Sequence, residues 1–216
     1  MSCLLHCVFH GMEPPPPDCP GTIRVVATGA LGAAVSSIPG DHYVPDLAQL
    51  SRYAQVIAAF HTSRTVMPLR FGCVMTDDAG VRALLEEQRQ QYEWLLTSLE
   101  GETEMGVRVL VPFVPEARHI GAASAYIAAL LRRHSSFRAM SVEEDAFVAT
   151  LCGSVTGFYE DCRLEVSNAA GARLISLQFL VNKQRVASFS EKVLEAGRLT
   201  GAKLLVSGPW PPYNFV

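Results

Sequence analysis

The sequence predicts an α+β fold in two domains, residues 1–104 and 105–216, and three observations carry the prediction. Residues up to about 100 read as apolar strands followed by helical stretches. The glycine-flanked GETEMG, Gly101 to Gly106, then punctuates the chain, and the remainder runs strand, helix, strand, strand, helix, strand.

The first domain opens with three strand-like stretches, LLHCVFH (4–10), IRVVATG (23–29) and LGAAVSSI (31–38). Four consecutive prolines, Pro14 to Pro17, cannot join a ladder and make the intervening segment a stiff, extended loop. A helix is expected from about Pro45 to His61, with Leu47, Leu50, Ala54, Ile57 and His61 as its buried stripe. RTVMPLRFGCVM (64–75) is rich in β-formers, and Pro68 confines it to an edge or a bulge. A second helix, capped by Thr76 or Asp77, is expected to reach about Glu100, burying Val81, Leu84, Leu85, Tyr92, Leu95, Leu96 and Leu99.

In the second domain VRVLVPF (107–113) alternates as a strand. Helix is expected from about Ala122 to Tyr159, interrupted between His134 and Ser141, where Ser141 and Glu144 form a capping box for the restart. CRLEVSN (162–168), a turn at 169–172 and LISLQFLVN (174–182) make a hairpin, with Ile175, Leu177, Phe179 and Val181 on one face. An amphipathic helix (185–199) stops near Gly201, and AKLLVSG (202–208) is a last strand before the tail GPWPPYNFV, Gly208 to Val216. This βαββαβ order predicts a modified ferredoxin-like domain with an extended C-terminal tail.

Composition narrows the function. Hydrophobic residues make up 49 % and charged residues 18 % of 216, so roughly 70 % of the extended chain's surface should be buried on folding. Eighteen Lys and Arg against 21 Asp and Glu give a net charge of −3, without the basic footprint of a nucleic-acid or anionic-membrane binder. No apolar run approaches the roughly eighteen residues of a membrane helix, and MSCLLHCVFHG lacks the basic start of a signal peptide, so a cytoplasmic location is expected. The six cysteines, scattered over a long chain, read as small buried hydrophobes in a reducing compartment.

No catalytic, cofactor or metal site is predicted. In CLLHCVFH, a strand puts Cys3 and Cys7 on one side and His6 and His10 on the other, which excludes a tetrahedral site; a helix would gather all four. No nucleophile elbow, zinc-protease spacing or phosphate-binding glycine loop occurs. Cys73 in RFGCVM is the thiol best placed beside an arginine that lowers its pKa, although such a cysteine also serves as a strand filler. Arg70, inside MPLRFG, needs a partner if buried and is expected to be a structural pin, with an exposed edge as the alternative. In the tail, Pro209, Pro211 and Pro212 fix the chain's path while Trp210, Tyr213 and Phe215 are costly to leave wet, so the tail should fold back on its own domain or on a partner.

MPLRFG ahead of a helix, GETEMGVRVLV and the closing GPWPPYNFV together resemble the GvpF/GvpL family of gas vesicle proteins over essentially the whole chain. The resemblance implies a non-enzymatic accessory or minor structural protein, needed to build the gas-filled shells that give prokaryotes buoyancy. It also implies association with the small hydrophobic shell protein and other accessory vesicle proteins, and a ferredoxin-like C-terminal domain whose sheet the tail extends. The alternative is a ligand-sensing ferredoxin-like regulatory domain, for which no sequence motif speaks.

Overall fold

β1 (Ser2–His10) is a run in which every residue but the last is buried, the mark of a strand covered on both faces. In the computed structural model, which describes residues 1–38, 46–112, 140–169 and 172–216, it lies inside a five-stranded sheet. Its neighbours are β3 (Leu31–Ile38), itself flanked by β2 (Ile23–Thr28), and the two-residue strands β4 (Met67–Pro68) and β5 (Val74–Met75). All these pairs are antiparallel. Pro68 lies at the sheet's edge, where its missing N–H costs no ladder bond. Between β4 and β5 the chain loops outward, with Gly72 at φ +92°.

Helices α1 (Leu47–Ser63), α2 (Asp78–Glu87) and α3 (Arg89–Ser98) cover the two faces of this sheet. Leu4, Cys7, Phe9 and Ala34 pack with Tyr53, Val56, Ile57 and Phe60 of α1. Cys3, Leu5, Val8 and Val35 pack with Val81, Leu85 and Leu96 of α2 and α3. The two lists break the alternation of a regular strand, because the register of β1 against β3 shifts between Leu5 and Cys7. One extra residue there turns Cys7 onto the α1 face, so Cys3 and Cys7 lie on opposite faces rather than on one.

Two helix expectations need correction. The buried stripe of α1 is Tyr53, Val56, Ile57, Phe60 and His61, whereas Leu47 and Leu50 are exposed. The larger rings set the helix's rotation. Asp46 accepts from the Gln49 N–H at 2.7 Å and the Gln49 side chain accepts from Asp46 N–H at 3.1 Å, a capping box that starts α1 at Leu47. The predicted single helix 78–100 is two, broken at Gln88 with φ −97° and ψ 10°, although Val81, Leu85, Leu96 and Leu99 are buried as expected.

β6 (Glu102–Pro112) starts five residues earlier than predicted: only Gly101, at φ +75°, is a turn, and Glu102, Thr103 and Glu104 are buried strand residues. The second sheet has the order β7–β8–β6–β9, with β7 Asp161–Ala169, β8 Ala172–Asn182 and β9 Leu204–Trp210. α4 (Val142–Ser154) and α5 (Val186–Thr200) pack Leu151, Phe189 and Val193 on Met105, Val107, Leu177 and Phe179. α4 begins at the expected capping box, with Glu144 N–H on Ser141 Oγ at 3.2 Å and Ser141 N–H on Glu144 Oε2 at 2.8 Å. It ends at Ser154 rather than Tyr159, and α5 ends at Gly201 with φ +69°. Pro45, the helix expected before residue 140 and the middle of the turn expected at 169–172 lie outside the described residues.

The chain divides into two compact units, one of Met1–Glu104 with Trp210–Val216, the other of Met105–Pro209. The tail was expected with the C-terminal domain; from Trp210 onward it belongs to the first unit.

Candidate functional site

The tail's path follows from what its prolines remove. Pro211 and Pro212 carry no N–H, so β9 stops at Trp210 and the last six residues are held by turn bonds and side chains instead of a ladder. The Gly208–Pro209 bond is cis, and beyond it Pro211 and Pro212 are buried. Tyr213 N–H donates to Pro211 O at 2.8 Å and Phe215 N–H to Pro212 O at 3.3 Å, which curls the end into a turn.

Three buried side chains of the first unit hold this turn. Thr103 Oγ1 donates to the Trp210 carbonyl at 2.9 Å and lies 3.1 Å from Nε2 of His61, in the last turn of α1. Since the threonine proton goes to Trp210, the histidine nitrogen is the donor in the second bond. Glu104 grips Asn214 with both oxygens: Oε2 accepts from Asn214 N–H at 2.8 Å and Oε1 from Asn214 Nδ2 at 2.7 Å. Burial pushes the Glu104 carboxyl above its ordinary pKa, and the two bonds from Asn214 pull it back. The Tyr213 phenol is pushed up to about 12, first by burial and then by Cys7 and Glu104.

The tail residues singled out from sequence divide into two groups. Pro211 and Pro212 are buried and Phe215 is half-buried, whereas Pro209 is exposed, Trp210 is 49 % exposed and Tyr213 40 %. Val216 is also 49 % exposed. Pro211 and Pro212 are thus the packed part, and two of the three rings stay about half exposed. Asn214, the residue that makes the tail's most specific bonds, was not anticipated; the signal for it was the pair of acids in GETEMG, which on a buried strand need donors.

Arg70 differs from its expectation: it is exposed and makes no ion pair or side-chain hydrogen bond among the described residues. Its neighbour in sequence, Arg64, is the arginine that pins the fold. Arg64 lies over the rings of Phe9 and Phe60 at 4.9 and 5.2 Å and donates to the carbonyls of Glu13 and Pro14, tying down the proline loop. Cys73 is half-buried and burial alone pushes its thiol pKa up. A hydrogen bond between Cys152 and Cys162 instead lowers the pKa of Cys152 and raises that of Cys162. No group of His, Cys, Asp and Glu fit to hold a metal exists among the described residues. None of their helices is long and apolar enough to cross a membrane.

The chain has clear relatives. The sequence profile of the family described as "Gas vesicle synthesis protein GvpL/GvpF" matches residues 3–216. Gas vesicle protein F of Streptomyces sp. (strain CB03234) is 27 % identical, with 92 % of this chain aligned to 90 % of that protein. Gas vesicle protein L of the same organism is 28 % identical, over 95 % of this chain and 85 % of that protein. In three dimensions the chain is similar to the crystal structure of gas vesicle protein GvpF from Anabaena sp. PCC7120. The TM-score is 0.74 at 17 % identity, with 99 % of this chain and 97 % of that one covered. GvpF from Microcystis aeruginosa gives 0.72 at 15 % identity, over 99 % and 98 % of the two chains.

Proposed function

From the premise that the chain belongs to the gas vesicle GvpL/GvpF family, we propose that it is a non-enzymatic accessory or minor structural protein of gas vesicle assembly. It works by binding the small hydrophobic shell protein and other accessory vesicle proteins, in the cytoplasm and at the growing vesicle.

The observation that supports this reading most is the division of labour in the tail. Thr103 and Glu104 fix the backbone while Trp210, Tyr213 and Val216 keep 40 to 49 % of their surface exposed. A rigidly held, half-exposed tryptophan and tyrosine make an anchor that loses little conformational entropy on binding. Covering what remains exposed of each ring contributes about 2 kcal/mol, the scale of an interface hot spot. An apolar shell subunit is the matching partner. The second unit is then a modified ferredoxin-like support, a reading favoured by the strand order β7–β8–β6–β9 with helices after the first and third strands.

A pull-down of each vesicle protein with the intact chain and with Trp210→Ala/Tyr213→Ala tests the proposal. Retention of the shell protein should fall by about thirtyfold or more in affinity for the variant. Equal retention by both would overturn the tail's role.

A further inference from the structure

Beside the bulge of β1, on the α1 face of the first sheet, lies a cavity of about 320 Å³, at the lower end of the roughly 300–1,000 Å³ of small-molecule sites. It is separate from the tail. Its apolar wall is Leu4, Ile23, Ile38, Val56 and the ring of Tyr53. Its polar wall includes His6, Thr22, Ser36, Gln49 and Arg52.

Three of these groups have unspent hydrogen-bonding capacity. His6 is only 3 % exposed and stacks on Tyr53 with ring centroids 4.7 Å apart; its Nε2 lies 3.0 Å from Ser36 Oγ, but its Nδ1 has no partner among the described residues. A buried polar atom left unpaired costs about 1–3 kcal/mol, and such atoms call for an occupant that completes them. Ser36 Oγ can donate to Nε2, and in that tautomer neutral His6 presents Nδ1–H as a donor. Arg52, one turn from Gln49 on α1, carries a guanidinium with no ion pair among the described residues. Gln49 Oε1 is spent on the Asp46 N–H, which leaves its amide N–H groups as donors. The polar wall is therefore donor-rich, carries one fixed positive charge, and faces an apolar wall.

We propose that this cavity is a binding site for a small organic monocarboxylate with an apolar body. The carboxylate pairs with Arg52 and accepts from Gln49 and His6 Nδ1–H, while the body lies on Ile23, Ile38 and Val56. A neutral isostere forfeits the ion pair, and an inorganic anion forfeits the apolar wall.

Titrating the full-length protein with benzoate, benzamide and inorganic phosphate, followed by calorimetry and by ¹H–¹⁵N spectra, tests the site. Saturable benzoate binding that moves the Thr22, Tyr53 and Arg52 resonances is expected, with benzamide and phosphate weaker by about tenfold or more. Arg52→Gln, an exposed substitution that leaves the fold intact, should weaken benzoate by a similar factor, and His6→Phe, which keeps the stack on Tyr53, should weaken it further. Absence of saturable benzoate binding, equal binding of benzamide or phosphate, or an unchanged affinity in Arg52→Gln would each overturn the proposal.

Discussion

At the scale of single residues, the first unit depends on a few buried polar groups whose charge states are set by burial. Glu104 is 4 % exposed and spends both oxygens on Asn214. Removing the amide with Asn214→Ala should cost about 2 kcal/mol at neutral pH, the value of hydrogen bonds to a charged group. The loss should shrink in acid, where a protonated Glu104 no longer needs the donors; denaturant melts at pH 7 and near pH 4 measure both. His6 works in the opposite direction. Burial lowers its pKa from 6.5 to about 4, so the unfolded chain binds the extra proton between these values. Its contribution is complete above pH 6.5 and is lost as pH falls toward 4, by roughly 3 kcal/mol at most. Stability curves for the wild type and His6→Leu should therefore differ in slope across this window and run parallel above it. None of this was legible beforehand. Cys3 and Cys7 part company only because β1 shifts register between Leu5 and Cys7, and no residue type in LLHCVFH announces a bulge.

At the scale of elements, the local signals held best where a side chain closes its own hydrogen bonds. Ser141 and Glu144 start α4 as their spacing predicts, and the alternation of Ile175, Leu177, Phe179 and Val181 fixes the buried face of β8. Periodicity alone placed Ile57 and His61 correctly in α1 but misjudged its first half, since the stripe through Leu47, Leu50 and Ala54 is as regular as the one through Tyr53, Val56 and Phe60. The choice between them is made by the rings that fill the space above β1. It also ran through Gln88, where the α2–α3 break leaves the apolar spacing intact. Glu144 has a second task that the capping pattern does not reveal: its Oε1 lies 2.9 Å from Arg173 Nε of β8, both side chains being nearly buried. Ser141→Ala should cost about 1 kcal/mol as a lost cap. Arg173→Ala should cost about 3 kcal/mol by stranding a buried carboxylate, and Arg173→Ala/Glu144→Leu should recover part of that. Equilibrium unfolding of the three variants checks the order.

At the scale of the whole molecule, the sequence resemblance located the family, and the βαββαβ order of the second half was readable from periodicity. The destination of the tail was not readable. Its prolines announce an ordered, non-helical path, but the groups that receive it, Thr103 and Glu104, lie more than a hundred residues earlier, in a stretch that reads as a turn. The arrangement fixes the tail's backbone and leaves Trp210 and Tyr213 about half exposed. The most direct test is complementation in a vesicle-forming host from which the gene has been removed, comparing the wild type with Trp210→Ala/Tyr213→Ala, both shown to be folded by unfolding curves. Wild type should restore vesicles and the ring-less variant should yield few or none; vesicles of normal number and shape from the variant would contradict the account.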